Sequence, residues 1–228
     1  MPGGQFRLAS VPPMKSGLSK TIATYIFLGE KYGAVYHYGV KADKETLKES
    51  FDVVVDATGS VPIVPRIEGI QNENVCTAQE VLRFEKRFMN KKLLVLGAGL
   101  AGAETAEILS LSGNKVSLVD MLDSVAPLAP GAVRRTLISH LQENGVDFIL
   151  NSKVLKINED GIDCLMNEQE KHLAGYDAII LAIGSRSDDT LKQDLEGSGI
   201  EYCSIVDSLR AGDAKKAIFE ATKLALKL

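Results

Sequence analysis

The stretch LLVLGAGLAGAETAEIL (residues 93–109) sets Gly97, Gly99 and Gly102 in a G-x-G-x-x-G pattern. Each glycine meets a different steric demand. Gly97 permits a tight turn, Gly99 lets the backbone approach a pyrophosphate, and Gly102 allows close helix–strand packing. The helix that follows offers unpaired N–H groups to phosphates. The pattern by itself is common, and its bland meaning is a tight strand-to-helix turn with no ligand. Here it follows an apolar run, opens a helical segment and precedes a second apolar run, NKVSLVD (114–120), ending in Asp120. An acid about twenty residues on reaches the ribose 2′-hydroxyl of a dinucleotide. Met121 follows it, with no Arg or Lys alongside, so a 2′-phosphate would meet a carboxylate and NADH is favoured over NADPH. The bland meaning of Asp120 is a solvated acid at a strand end.

The surrounding elements are those needed to hold such a turn. FDVVVDATGS (51–60), KKLLVLGAG (91–99), NKVSLVD (114–120) and YDAIILAIGS (176–185) are short apolar runs ending in Gly or polar residues, the pattern of buried parallel strands. Residues 100–114 carry Ala and Leu at helical spacing and stop at Gly113, and residues 130–145 carry Val133, Leu137, Ile138 and Leu141 on one stripe and stop at Gly145. Residues 146–167 alternate as strands joined by a turn near Asp160 and Gly161. Upstream, residues 17–33 predict a helix closed by Gly33 and residues 34–40 a short strand, while Pro62 and Pro65 make residues 61–70 a crossing loop between two bodies. Residues 201–207 predict a strand, and residues 212–228 a terminal helix capped by Asp213. The order is that of an α/β fold with a parallel sheet. Two similar endings, VVVDATGS and IILAIGS, suggest two nucleotide-binding bodies.

Composition narrows the function classes. A chain of 228 residues, 45% hydrophobic and 25% charged, can bury one large or two small cores. A formal net charge of -4 with dispersed Lys and Arg gives no attraction to nucleic acid or an anionic membrane. No apolar run is long enough to span a bilayer and no signal-peptide order opens the chain, so the cytoplasm is the expected compartment. Cys76, Cys164 and Cys203 lie far apart, with no CxxC or zinc spacing, and each reads as a small buried apolar residue. His37, His140 and His172 fall in a strand, an amphipathic helix and a polar stretch, and read as structural or solvent-facing. No Ser–His–Asp or paired-carboxylate site is suggested, and no catalytic side chain or metal ligand is expected.

GGQFRLA, FDVVVDATGSVPIVPRIEGI, NVCTAQEVL, KKLLVLGAGLAGAETAEIL, VSLVDMLDSVAP and AIILAIGSRSDD succeed one another as in the C-terminal half of old yellow enzyme-like NADH:flavin oxidoreductases. The chain resembles that family, which includes 2-enoate reductases, 2,4-dienoyl-CoA reductase and trimethylamine dehydrogenase, over nearly its whole length. The resemblance implies a Rossmann-like fold of two dinucleotide-binding domains, with an NAD domain at about 90–188 inserted in an FAD domain formed by 1–89 and 189–228. It implies that Gly97, Gly99, Gly102, Glu104, Asp120 and Gly184 lie along the nicotinamide dinucleotide. It also implies that Gly4, Gln5, Ala57, Thr58, Gly59 and Asp207 lie near FAD, with Asp207 reaching toward the ribityl chain. In the complete enzymes electrons run from NADH to FAD, then through an iron–sulfur cluster to FMN in a barrel, so an FMN and iron–sulfur barrel domain or subunit is the implied partner.

Two departures stand out. The family's own first G-x-G-x-x-G of the FAD domain, expected just ahead of Gly3-Gly4-Gln5, is not in this sequence, which leaves FAD doubtful and makes the N-terminal portion read as an incomplete sheet. Taken alone, Gly3-Gly4-Gln5 would be a disordered tip. Where the family has Gly-Asp, this chain has Val206-Asp207, and a β-branched side chain would crowd a backbone meant to approach the flavin. Asp56 reads as a strand residue facing water. The expected function is therefore the NADH-binding electron-input module of a flavoprotein oxidoreductase, with a non-catalytic NAD-binding protein or redox sensor as the alternative.

Overall fold

The computed structural model describes residues 2–228, and the side chains of all of these but 48–50. In chain order the first elements are α1 (Gly4–Leu8), α2 (Gly17–Lys31), α3 (Lys44–Ser50), β1 (Val53–Asp56), β2 (Ser60–Pro62), β3 (Val75–Thr77) and α4 (Ala78–Leu82). Next come β4 (Lys92–Leu96), α5 (Leu100–Leu111), β5 (Lys115–Val119), α6 (Gly131–Glu143), β6 (Asp147–Ile149), β7 (Ser152–Ile157), β8 (Gly161–Met166) and β9 (Gln169–Ala174). The chain ends with β10 (Ala178–Leu181), β11 (Ser185–Ser187), α7 (Thr190–Leu195), β12 (Glu201–Ser204), a 3-10 turn at Val206–Ser208 and α8 (Ala214–Ala225). Two compact units divide these elements. One comprises residues 8–16 and 62–184, the other residues 1–7, 17–61 and 185–228.

The unit containing residues 62–184 is built on a five-stranded sheet of order β3-β10-β4-β5-β6, parallel throughout. Alternation along β4 explains why both faces are covered. Leu93 and Val95 pack with Ala103, Ala106 and Leu109 of α5 and Leu137 and Leu141 of α6. Leu94 and Leu96 face Ile157, Ile162 and Cys164 of an antiparallel β7-β8-β9 meander. All four β4 side chains are at most 3% exposed, and burying each contributes about 1.5–3 kcal/mol. On the second of these faces Tyr176 spends its hydroxyl on Ser117 at 3.0 Å, so neither polar group is buried unpaired.

The other unit is held by a smaller cluster of Leu47, Val54 and Leu195, with Leu191, Ile200 and Tyr202 packed against it. Its β1 and β12 pair in parallel, and β2 pairs with β11. Asp213 caps α8 by accepting the Lys216 N–H at 2.8 Å, as the sequence predicts.

Several expectations change. Beside the stretch from residue 90, one compact unit takes in residues 8–16 and 62–89, where β3, too short to show as a strand in sequence, joins the sheet through β10. Residues 34–40 form no strand; Tyr36 and Tyr38 stack on each other at 5.7 Å and Gly39 turns the chain at φ +73. Residues 61–70 are not wholly loop, since β2 takes Val61 and Pro62 and Glu68 makes a bridge to Lys156. The opening glycines lead into α1, so Gly4 and Gln5 are helical and not a disordered tip. Val133 is 42% exposed and leaves the apolar stripe of α6. Cys203 is only half-buried, whereas Cys76 and Cys164 are buried. Asp56 does not face water at all: it is 1% exposed.

Candidate functional site

The site is the junction of β4, β10 and α5, where the chain leaves β4 toward β5 on one side while β10 lies on the other. In open parallel sheets ligands bind in the crevice at such a switch point, beyond the carboxyl ends of the strands. Gly97 turns there with φ +107, and a Cβ on it would stand 2.5 Å from the Ala182 carbonyl oxygen. Gly102 packs the helix onto the same turn; a Cβ there would stand 1.8 Å from the Gly97 oxygen. Gly99 is different. An added Cβ would meet nothing within 4 Å, so this glycine bares backbone to open space.

The peptide between them is fixed on both sides. The Ala98 N–H donates to Asp120 Oδ2 at 2.6 Å, and the Ala98 carbonyl accepts the Ala126 N–H at 2.7 Å. Asp120 Oδ1 also accepts the Leu122 N–H at 2.9 Å. Gly99 is the N-cap of α5 and its carbonyl accepts the first helical bond, from Ala103. The N–H groups of the first turn have no partner inside the helix, and they open beside the bare face of Gly99 with the positive end of the helix dipole. Gly184 lies across the crevice past β10, at φ +101 and exposed.

Glu104 does not reach that open face freely. Its side chain is 9% exposed and pairs with Lys15 from the 8–16 segment. Burial pushes its carboxyl up, Lys15 opposes that shift, and the neighbouring Glu107 adds to it. Glu107 in turn accepts from His140 Nδ1 at 2.7 Å. Neither Lys15 nor the Glu107–His140 pair was marked by any sequence motif, because the partners lie far apart in the chain.

In the other unit, Gln5 Nε2 donates to the Ser60 carbonyl at 2.9 Å and to the Ser60 hydroxyl. Thr58 N–H and hydroxyl both donate to Asp56 Oδ1, at 3.0 and 2.8 Å, and Ser204 Oγ donates to Asp56 Oδ2 at 3.0 Å. The Asp56 carbonyl accepts the Ile205 N–H and the Ser208 hydroxyl. The Gly59 carbonyl accepts the Asp188 N–H at 3.0 Å. Thus Gln5, Thr58 and Gly59 are tied into one corner, with the buried Asp56 as its anchor. Ala57 is exposed between them, and Gly4 and Gly59 both have open space where a Cβ would be. Val206 has φ +58, a conformation suited to glycine, and its N–H donates to Glu220 Oε2 at 2.7 Å. Asp207 Oδ1 accepts the Gly212 N–H at 2.8 Å.

Residues 17–207 match the family model for pyridine nucleotide-disulphide oxidoreductases. The chain belongs to this family. It has the Rossmann-type NAD- and FAD-binding fold of these oxidoreductases, and its sequence is similar to the dinucleotide-binding region of enoate-reductase-like proteins. It is 32% identical to bilirubin reductase of Mediterraneibacter gnavus over 96% of this chain, 31% identical to NADH oxidase of Thermoanaerobacter brockii over 98%, and 28% identical to cinnamate reductase of Clostridium sporogenes over 98%. The matches cover 34%, 35% and 34% of those proteins, so the chain spans about a third of the length of the curated relatives it matches. The structure superposes on a 2-naphthoyl-CoA reductase with a TM-score of 0.92 at 24% identity, covering 99% of this chain and 34% of that one, which shows the shared fold. The disulphide of the family name has no counterpart pair here: all three cysteines are free, and burial pushes the Cys76 thiol up to about 12, far from a reactive thiolate. No helix among the described residues is long and apolar enough to cross a membrane.

Proposed function

We propose that this chain is the NADH-binding, electron-input module of an FAD-dependent oxidoreductase of the enoate-reductase-like type, working in the cytoplasm. The observation that carries the proposal is the contrast among the three glycines. Gly97 and Gly102 are filled by neighbouring protein, whereas Gly99 keeps an empty face at a helix N-terminus. Protein packing alone accounts for the first two. It does not account for the third, and a pyrophosphate seated on the α5 N–H groups does.

The residues present fit a nicotinamide dinucleotide. Gly99 and the first turn of α5 would hold the pyrophosphate, Gly97 and Gly102 would keep turn and helix close, and Asp120 would accept from the ribose while holding Ala98 in place. Glu104 and Gly184 would flank the remainder of the dinucleotide. An acid at the end of β5, followed by Met121 and Leu122 and not by a cation, supports NADH over NADPH. Gly4, Gln5, Ala57, Thr58, Gly59 and Asp207 form the flavin side of the proposal, and the open faces at Gly4 and Gly59 suit close approach by a ligand. When both cofactors are bound, the nicotinamide supplies a hydride and the flavin receives it. The protein's part is to position and to exclude water, which requires no acid, base or nucleophile of its own. The barrel domain that would carry FMN and an iron–sulfur cluster, and the activated alkene finally reduced, belong to this proposal through the resemblance to 2-enoate reductases, and a cinnamate reductase is among the chain's relatives.

The test is optical. With FAD bound, NADH added without oxygen should bleach the flavin absorbance, and NADPH should do so far more slowly. NADH binding without bleaching would overturn electron input and leave the non-catalytic NAD-binding alternative.

A further inference from the structure

Behind the phosphate-facing end of α5 lies a second arrangement of charges, inside the same compact unit. Glu104 and Glu107 stand three residues apart and so share one side of the helix. Their side chains are 9% and 6% exposed. Lys15 answers the first, and His140, on α6, answers the second at 2.7 Å. These four are the titratable side chains lining a cleft of about 360 Å³, whose other lining residues include Pro13, Thr136 and Leu137.

The two cations are not equivalent. Lys15 is an ammonium, whereas His140 is an imidazole, the one side-chain type whose ordinary titration falls between about pH 5 and 8. With His140 neutral, Lys15, Glu104 and Glu107 sum to one negative charge; with His140 protonated the four sum to zero. Glu107 is seven residues beyond Leu100, hence about 10 Å along the axis from the first turn of α5. A charge at that distance, half shielded by protein, acts on an anion seated at the helix end.

We propose that His140 is a positioning residue for the dinucleotide: its proton neutralises Glu107 and so removes the negative charge behind the phosphate-binding end of α5. The inference rests on the dinucleotide site assigned to Gly97, Gly99 and Gly102. It makes NAD binding tighten on mild acidification, because the pyrophosphate is fully ionised throughout and only the protein's charge changes.

The experiment is calorimetric titration of NAD⁺ at about pH 6 and about pH 8. The wild type should bind about threefold more tightly at the lower pH. His140→Gln, which can still hydrogen-bond Glu107, should bind equally at both. Glu107→Gln should bind at the higher pH about as tightly as the wild type does at the lower. A wild-type ratio of one overturns the inference, and so does a ratio that survives in His140→Gln. Uniform weakening of His140→Gln with the ratio intact would mean only looser packing of α5 on α6, and also overturns it. If Glu104→Gln alone removes the ratio, the titrating group is Glu104 and His140 is excluded. Gly99→Val serves as control: binding lost there while His140→Gln behaves as wild type sinks this inference alone, and binding kept there sinks the site assignment beneath it.

Discussion

The carboxylate of Asp120 reaches back from the end of β5 to the Ala98 N–H, with a donor–acceptor distance of 2.6 Å. The acid that sequence spacing points toward a ribose is thus also the clamp on the glycine turn. Asp120→Ala removes both duties. It should cost about 1.5–3 kcal/mol of stability, the range for a hydrogen bond to a charged group, and should narrow the preference for NADH over NADPH. Thermal melting and paired coenzyme titrations check the two effects separately. An unchanged coenzyme ratio would leave Asp120 with the clamp alone.

Gly102→Ala tests the packing role. Its Cβ would stand 1.8 Å from the Gly97 oxygen and 3.1 Å from the Ala182 Cβ, so α5 must move away from the turn. Overpacking of this kind costs about 1–3 kcal/mol or more. Urea unfolding should show that loss even with no dinucleotide present; full stability would mean that the turn relaxes at no cost.

Asp56 is 1% exposed and accepts from Thr58 and Ser204. Replacing it by Ala removes the acceptor of these bonds; because Thr58 is exposed and Ser204 half-buried, water can reach the freed donors and the protein should lose about 1–3 kcal/mol. Asp56→Asn retains one acceptor oxygen and should lose less. Equal denaturation midpoints for wild type and Asp56→Ala would contradict the anchor role.

Val206 occupies φ +58, where a β-branched side chain is strained. Such strain costs about 1–3 kcal/mol, partly offset in a glycine variant by the greater freedom of the unfolded chain. Val206→Gly should therefore raise stability by about 1 kcal/mol, measured by chemical denaturation. A loss of stability would show that the Val206 side chain makes compensating contacts.

The core of the candidate site was legible in sequence because its determinants are local. β4, α5, β5 and α6 each carry a complete apolar period, and Gly97, Gly102 and Asp120 owe their places to steps of a few residues along those elements. Other features depend on partners remote in the chain. Asp56 looks like an exposed strand acid until Ser204, 148 residues away, closes on it; only its turn with Thr58 was locally readable. Lys15 and Glu104 meet across 89 residues. β9, QEKHLA, pairs through its backbone with β8 while its side chains stay mostly exposed, so no alternation marks it. Residues 34–40 mislead for the opposite reason: their aromatic and β-branched residues have strand propensity, yet they form no strand pairing in the structure.

The most direct measurement is an NADH titration of Gly99→Val beside the wild type. A side chain at position 99 would enter space that no protein atom occupies within 4 Å of its Cβ, so the fold should remain intact, with melting temperatures close together. NADH binding to the wild type should be saturable, and binding to Gly99→Val should be weaker by at least about a hundredfold, the cost of excluding the pyrophosphate from its backbone contacts. Equal affinity in the two folded proteins would contradict the assignment of this glycine turn as the dinucleotide site.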